Sequence, residues 1–318
     1  MTDLRGYALV TGANGFIGSQ VLRRLLDDPP SKPWSEVRAL VRTDAAADQV
    51  RALGARPVRG DLLDPGPEVR DVVAGARYVA HCAHPTRHGQ HADRPRMDRR
   101  LLESIDPARL ARLVYVCGSS YLGASEGGEL VDEATPPRPF GVGVQFEEGL
   151  RALREAPGLD YAAALVAGVY GRGSWFLELC ARALERGDPV PVRDPAPVWP
   201  YLHVEDCARA IELLLAVSPA RLDEVGREII LADEEPAPMD AFIAEIARAL
   251  GRPLRLARLD EAALRALLPP AAFVYWTTDM RHSSARLRRL GFACRYPTFR
   301  EGIPALGLAA GPATEIDS

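Results

Sequence analysis

The segment Thr11-Gly12-Ala13-Asn14-Gly15-Phe16-Ile17-Gly18 follows an apolar run, Tyr7–Val10, and opens an apolar-periodic stretch, Phe16–Leu26. Three glycines at this spacing suit a phosphate cradle. Gly12 permits a tight turn, and Gly15 lets backbone approach a pyrophosphate with no Cβ in the way. Gly18 lets a helix lie close against a strand. The free N–H groups of the first helical turn, aided by the helix dipole, would then face the anion. The strand–turn–helix context separates this pattern from a chance glycine triplet. It predicts a dinucleotide held by Gly12, Ala13, Asn14, Gly15, Phe16 and Ile17.

A second apolar run ends Ala39-Leu40-Val41-Arg42. An acidic residue there would hold the ribose hydroxyls of NAD, whereas an arginine accommodates a 2′-phosphate. Arg42 therefore points to NADPH, with NADH possible, although a solvated arginine at a strand end would look the same. Asp61, in Gly60-Asp61-Leu62, is placed with Leu62 to meet an adenine amino group, or alternatively to cap a helix. His81, His84, His88 and His91 are spaced as on one helical face, but Pro85 and Gly89 interrupt them. With no Cys- or Glu-based ligand motif nearby, no metal site is predicted.

These residues need a scaffold. Short apolar runs at Tyr7–Val10, Val37–Val41, Arg56–Arg59, Tyr78–His81, Leu113–Cys117 and Tyr161–Val166 alternate with helical patterns such as Phe16–Leu26 and Phe146–Leu153. That alternation predicts an α/β fold, a Rossmann-type doubly wound parallel sheet. After Tyr170 helical patterns dominate: Trp175–Leu184, Val204–Ala216 and Pro238–Leu250, with short strands near Val190–Val192 and Glu228–Leu231. Residues 1–170 are read as the dinucleotide-binding domain, rejoined by a segment near 201–216. Residues 171–310 are read as mainly a smaller C-terminal substrate-binding lobe, and 311–318 as a flexible tail.

Composition narrows the function. A net charge of −4 argues against a nucleic-acid binder, and no run of about 18 apolar residues argues for a membrane span. Five unpaired-looking cysteines and an N-terminus without a secretory pattern predict a cytoplasmic chain, as monomer or homodimer.

The chain resembles the extended short-chain dehydrogenase/reductase family, the NAD-dependent epimerase/dehydratase group. TGANGFIG is similar to its TGxxGxxG turn, Val79–Ala83 to its HLAA strand end, Val169-Tyr170-Gly171 to its VYG, and Tyr201–Ala208 to its Y-x-HVxDxA segment. The resemblance implies that Cys82, Ala83 and His84 approach the nicotinamide ribose. It also implies a catalytic tyrosine and, four residues on, a lysine that lowers the tyrosine pKa and holds the ribose. Here Phe140 and Val144 stand at those positions, and residues 136–160 contain no lysine. The family's serine maps to Gly118, with Ser119 one step on.

Phe140 and Val144 neither donate nor accept a proton. Ser119 and Ser120, then Tyr121, are the stand-in catalytic candidates for holding an oxyanion. Phe140, Val144, Tyr170 and Trp175 are the expected substrate contacts. The reading is an NADPH-dependent reductase of an activated carbonyl or conjugated ring in a hydrophobic, aromatic or polyketide-like metabolite. A non-catalytic NADP(H) sensor and a redox-neutral isomerase or cyclase are the alternatives.

Overall fold

The computed structural model describes residues 6–27, 32–85 and 90–308. Six strands come first: β1 (Tyr7–Thr11), β2 (Glu36–Val41), β3 (Arg56–Arg59), β4 (Tyr78–His81), β5 (Arg112–Gly118) and β6 (Tyr161–Val166). Short strands β7 (Gly168–Tyr170), β8 (Val190–Arg193), β9 (Val198–Trp199) and β10 (Tyr201–His203) precede β11 (Glu228–Leu231). The main sheet has seven strands in the order β11-β6-β5-β4-β1-β2-β3. All its pairings are parallel.

The strand order switches at β1, because β2 and β3 lie to one side of it and β4 onward to the other. That switch point leaves a crevice outside the carboxyl ends of β1 and β4. Both sheet faces are covered, so the strands read as nearly continuous apolar runs. Ala8 and Val10 pack to one side with Val21 and Leu22 of α1 (Phe16–Leu26). Leu9, between them, packs to the other side with Val69 and Leu101. The period of two along β1 thus decides which helix layer each side chain meets.

Helices α2 (Asp44–Ala52), α3 (Pro67–Gly75), α4 (Arg94–Ser104) and α5 (Glu147–Glu155) complete the first half. Then come α6 (Trp175–Arg186) and α7 (Val204–Ala216). Two later segments rejoin the sheet: β11 pairs with β6, and α7 shares an apolar cluster with α1. Asp206, fully buried, accepts from the backbone N–H groups of Arg295 and Tyr296, both at 2.9 Å, and so ties α7 to the chain's end.

A separate aromatic cluster forms the core of the second half, with Tyr170, Phe176, Trp199, Tyr201, Phe242 and Trp276. It joins α6 to α9 (Met239–Ala249) and α11 (Pro270–Thr277), with α8 (Pro219–Val225) and α10 (Glu261–Leu267) between them in sequence. Among the described residues no helix is long and apolar enough to cross a membrane. The tail expected at 311–318 lies outside the described residues.

Asp233 follows β11, is 2% exposed, and donates its backbone N–H to Tyr201 at 2.7 Å. Burial pushes its carboxyl up to about 8, so the fold holds it as the acid at neutral pH. An unfolded aspartate ionises near 3.9. Between those values the fold binds the extra proton, so its stability declines as pH rises through the window. Asp233→Asn is expected to flatten that decline. Urea midpoints measured from pH 5 to 8 should fall less in the variant than in the wild type.

Candidate active site

A cavity of about 900 Å³ opens at the carboxyl ends of the main-sheet strands, at the upper end of the range for small-molecule sites. Gly12 and Gly15 line it after β1, Arg42 after β2, Asp61 after β3, Cys82–His84 after β4, and Ser119 and Ser120 after β5. The second half of the chain contributes Trp175, Trp199 and Tyr275 from the opposite side.

The glycine turn fits an anion. Gly12 has φ +65°, and a Cβ there would lie 2.6 Å from the Ala83 Cα. A Cβ at Gly18 would lie 2.1 Å from the Gly12 carbonyl oxygen. At Gly15 the nearest atom to such a Cβ is that same oxygen at 3.2 Å, so its outer side is open to the cavity. Gly15 is also the N-cap of α1, and no side chain caps the helix. The first-turn N–H groups therefore keep their capacity for a phosphate. Ala13 is buried and outside the lining, so only its backbone belongs to the turn.

Arg42 and Asp61 face each other, with Nη1 4.0 Å from Oδ2, and each is about half exposed. Asp61 Oδ1 also accepts from the Leu63 N–H at 2.9 Å within a turn, and no helix begins there for it to cap. Leu62, Cys82, Ala83 and His84 all line the cavity, and His84 meets the Phe146 ring edge-on at 5.9 Å.

Beneath this end lies a buried charged network. Arg94 and Asp98, one turn apart on α4, approach to 2.6 Å and are both 1% exposed. Arg94 donates to the Ala83 carbonyl at 2.8 Å and the Val116 carbonyl at 3.3 Å. Asp98 Oδ2 takes the Tyr115 hydroxyl, and Oδ1 takes His81 Nε2 at 3.0 Å. Burial pulls the His81 pKa down, so its ring is neutral and its one N–H goes to the carboxylate. His81 Nδ1 then accepts from the Thr11 hydroxyl at 2.7 Å, and Thr11 Oγ1 accepts from the Ala83 N–H at 3.3 Å. Burial alone would raise the Asp98 carboxyl, but Arg94 and His81 outweigh it and hold it below its ordinary value. His81 is therefore a structural histidine. Among the described residues no cluster could hold a metal ion. His88 and the side chain of His91 lie outside the described residues.

The expected catalytic segment differs in its facing. Phe140 is extended, with φ −138° and ψ 163°, and precedes a 3₁₀ turn, Gly141–Phe146. Its ring packs 5.8 Å from that of Tyr275 and does not line the cavity. Val144 projects outward and is 51% exposed. From this segment Val142 and Phe146 line the cavity instead. The turn sits hard against Ser119–Tyr121, since a Cβ at Gly143 would lie 2.5 Å from the Ser120 carbonyl.

Two further expectations are corrected. Tyr121 is buried away from the cavity, and its hydroxyl accepts from Arg154 at 3.1 Å. Tyr170 is fully buried, its ring edge-on to His203 and Phe242 and its hydroxyl wedged against Gly302. Neither lines the cavity. Ser119 and Ser120 do line the cavity, as does Trp175, whose exposed ring stands 5.5 Å from that of Trp276.

Among the cavity residues that gave no sequence signal, one is polar-tipped and sits beside Ser120. Tyr275, on α11, brings its hydroxyl to 3.4 Å from Ser120 Oγ and accepts from the Val142 N–H at 3.1 Å. The chain's single lysine, Lys32, pairs with Glu212 at 3.2 Å and is not a cavity residue.

The profile of the NAD dependent epimerase/dehydratase family matches residues 8–224, the glycine turn, strand ends and α7 included. This chain belongs to that family. It is thus an oxidoreductase-type enzyme of the extended short-chain dehydrogenase/reductase branch. A dTDP-glucose 4,6-dehydratase of Streptomyces griseus is 30% identical over 256 residues, covering 72% of this chain and 76% of the relative. A 4-hydroxy-2-methyl-3-oxo-4-farnesyl-3,4-dihydroquinoline-1-oxide ketoreductase of Stigmatella aurantiaca is 27% identical over 335 residues, covering 96% of each. Among solved structures, a Thermus thermophilus UDP-glucose 4-epimerase with NAD superposes with TM-score 0.72 at 22% identity, over 95% of this chain and 97% of that one. The human epimerase family protein SDR39U1 with NADPH gives 0.73 at 18% identity, over 95% and 99%. These superpositions carry the family fold.

The two inner glycines are expected to separate fold from binding. Gly18→Ala drives a methyl into the Gly12 carbonyl and should lower the melting temperature by several degrees, as a strained backbone costs about 1–3 kcal/mol. Gly15→Ala should melt within a degree or so of wild type yet bind a dinucleotide about tenfold more weakly by calorimetry, a loss of about 1.4 kcal/mol.

Proposed function

We propose that this chain is an NADPH-dependent reductase of an activated carbonyl or conjugated ring in a hydrophobic aromatic or polyketide-like metabolite. The carrying observation is one continuous cavity. It has an uncapped helix start at one end, and serine hydroxyls with aromatic rings at the other.

The glycine turn would hold the pyrophosphate, and Arg42 a 2′-phosphate. A bound reduced nicotinamide would supply a hydride. Ser119 and Ser120 would then hydrogen-bond the oxygen on which charge develops. Val142, Phe146 and Trp199 make that end apolar, which excludes water and suits a flat ring. Trp175 at the mouth offers a face for stacking. The ketoreductase relative that aligns over 96% of both chains supports reduction of a ring ketone as the chemistry. A pure nucleotide sensor would have no use for the hydroxyl-lined second half of the cavity.

The test is NADPH oxidation, followed at the nicotinamide absorbance band, with 1,4-naphthoquinone and polycyclic ketones. Turnover with a product two hydrogens heavier supports the reading. Tight NADPH binding without oxidation across the panel sinks it, and a product of unchanged mass replaces reduction with isomerisation. On the cofactor, Arg42→Asp should weaken NADPH binding about tenfold or more, equal to at least 1.4 kcal/mol, and narrow its advantage over NADH.

A further inference from the structure

The proposed reduction requires a proton as well as a hydride, and no tyrosine or lysine stands at Phe140 or Val144 to deliver it. Among the described residues, the cavity lining nevertheless includes one phenol, Tyr275. Tyr275 comes from α11, more than 150 residues away in sequence from the Ser119–Ser120 strand end. Its hydroxyl lies between Ser120 Oγ at 3.4 Å and the Val142 N–H at 3.1 Å. Gly141 makes the room. It turns the chain with φ +55°, and a Cβ there would sit 2.9 Å from the Tyr275 hydroxyl oxygen. Thus the hydroxyl has entered the space beside the residue that aligns with the family tyrosine, from the opposite wall.

Its helix is held from several sides. Trp276 Nε1 donates to the Pro191 carbonyl at 2.9 Å, and Trp199 Nε1 donates to the carbonyl of Tyr275 itself at 3.0 Å. Phe140 and Trp199 flank the Tyr275 ring at 5.8 and 6.0 Å between centroids. A rigid, polar-tipped ring aimed at a cavity serine is more than wall packing requires.

We propose that Tyr275 is the proton donor of this enzyme, a further catalytic residue that works with Ser120; the assignment rests on the reductase reading. The substrate carbon accepts a hydride from the reduced nicotinamide, and the C=O π pair closes onto oxygen. The O–H bond of Tyr275 breaks to protonate that oxygen. The phenolate left behind is held by the Val142 N–H and the Ser120 hydroxyl until the product leaves and solvent reaches it to return a proton. Burial raises the Tyr275 pKa against the pull of those two donors, which keeps the hydroxyl protonated and ready to give.

Tyr275→Phe keeps the ring and removes one oxygen. The melting temperature and NADPH affinity of the variant should match wild type, which reports an intact fold and turn. Its kcat with 1-tetralone should fall about 10²-fold or more, within the usual range for a lost general acid. The loss should be smaller with 1,4-naphthoquinone, whose product anion is less basic. Independently of turnover, 1-naphthol binding in the presence of NADP⁺, read by fluorescence, should weaken about tenfold, equal to 1.4 kcal/mol. Unchanged kcat together with unchanged 1-naphthol affinity would overturn the assignment of Tyr275 and leave the reductase reading standing. A wild type that never oxidises NADPH would remove that reading, and the binding arm would still decide whether Tyr275 meets a ligand oxygen. Equal losses with both substrates would show a packing role and overturn the donor role.

Discussion

A guanidinium shut off from water underlies the architecture of the cavity. Arg94 is fixed to Asp98 on its own helix, to carbonyls at the ends of β4 and β5, and over the rings of Tyr115 and Phe146 at about 5 Å. Asp98 carries the ties onward to β4 through His81 and, through His81, to Thr11 on β1. Three strand ends and one helix are thus registered by a single pair of opposite charges. Removing one member of such a pair strands the other in low dielectric, typically at about 3–5 kcal/mol. An arginine is suited to the place because it stays charged under any pressure burial exerts. The glycine turn can bend tightly only because what it bends against, the backbone of Cys82 and Ala83, is held still by this network.

The other wall of the cavity is made differently. Its side chains come from a lobe whose core is aromatic, and the lobe is registered to the sheet by backbone contacts from β10, β11 and the chain's end. Tyr201 accepts from Asp233, and Asp206 accepts from Arg295 and Tyr296. The motif around His203 acquires a structural meaning from this. His203 Nδ1 caps α7 through the Glu205 N–H at 3.2 Å, and Asp206 fastens the end of the chain. These residues carry the frame that brings α11 over the Ser119–Ser120 end of the cavity, and none of them lines the cavity.

Legibility in the sequence followed the range of the interactions. The strand ranges read from apolar runs agree with the sheet to within a residue at most ends, because buried parallel strands need little beyond local hydrophobicity. The glycine turn was equally plain, since its geometry is set within eight consecutive residues. Facing was harder. Phe140 and Val144 would share a face only if an α-helix ran through both, whereas the chain is extended at 140 and 3₁₀ beyond it, so Val142 and Phe146 point inward. Tyr121 is turned from the cavity into the core, where its hydroxyl accepts from a charged partner, Arg154. Tyr170, four residues beyond the last main-sheet residue of β6, became part of a core it shares with Phe242. Tyr275 carried no local signal at all: an aromatic in Ala-Phe-Val-Tyr-Trp reads as lobe core, and only the tertiary approach of α11 to β5 gives its oxygen a neighbour.

The charge at the floor and the phenol at the wall together bear on the direction of the chemistry. In the arrangement that the family pattern implies, a lysine beside the tyrosine lowers its pKa, and the phenolate can then accept a proton in oxidation as readily as the phenol gives one in reduction. This chain has its one lysine elsewhere, and the buried guanidinium beside the cavity, Arg94, is committed to Asp98 and two backbone carbonyls. Tyr275 is left with two neutral donors and a burial that raises its pKa. A general acid of that kind gives its proton to a strongly basic alkoxide but makes a poor base near neutral pH. On the proposed assignment the site is therefore biased toward reduction over oxidation.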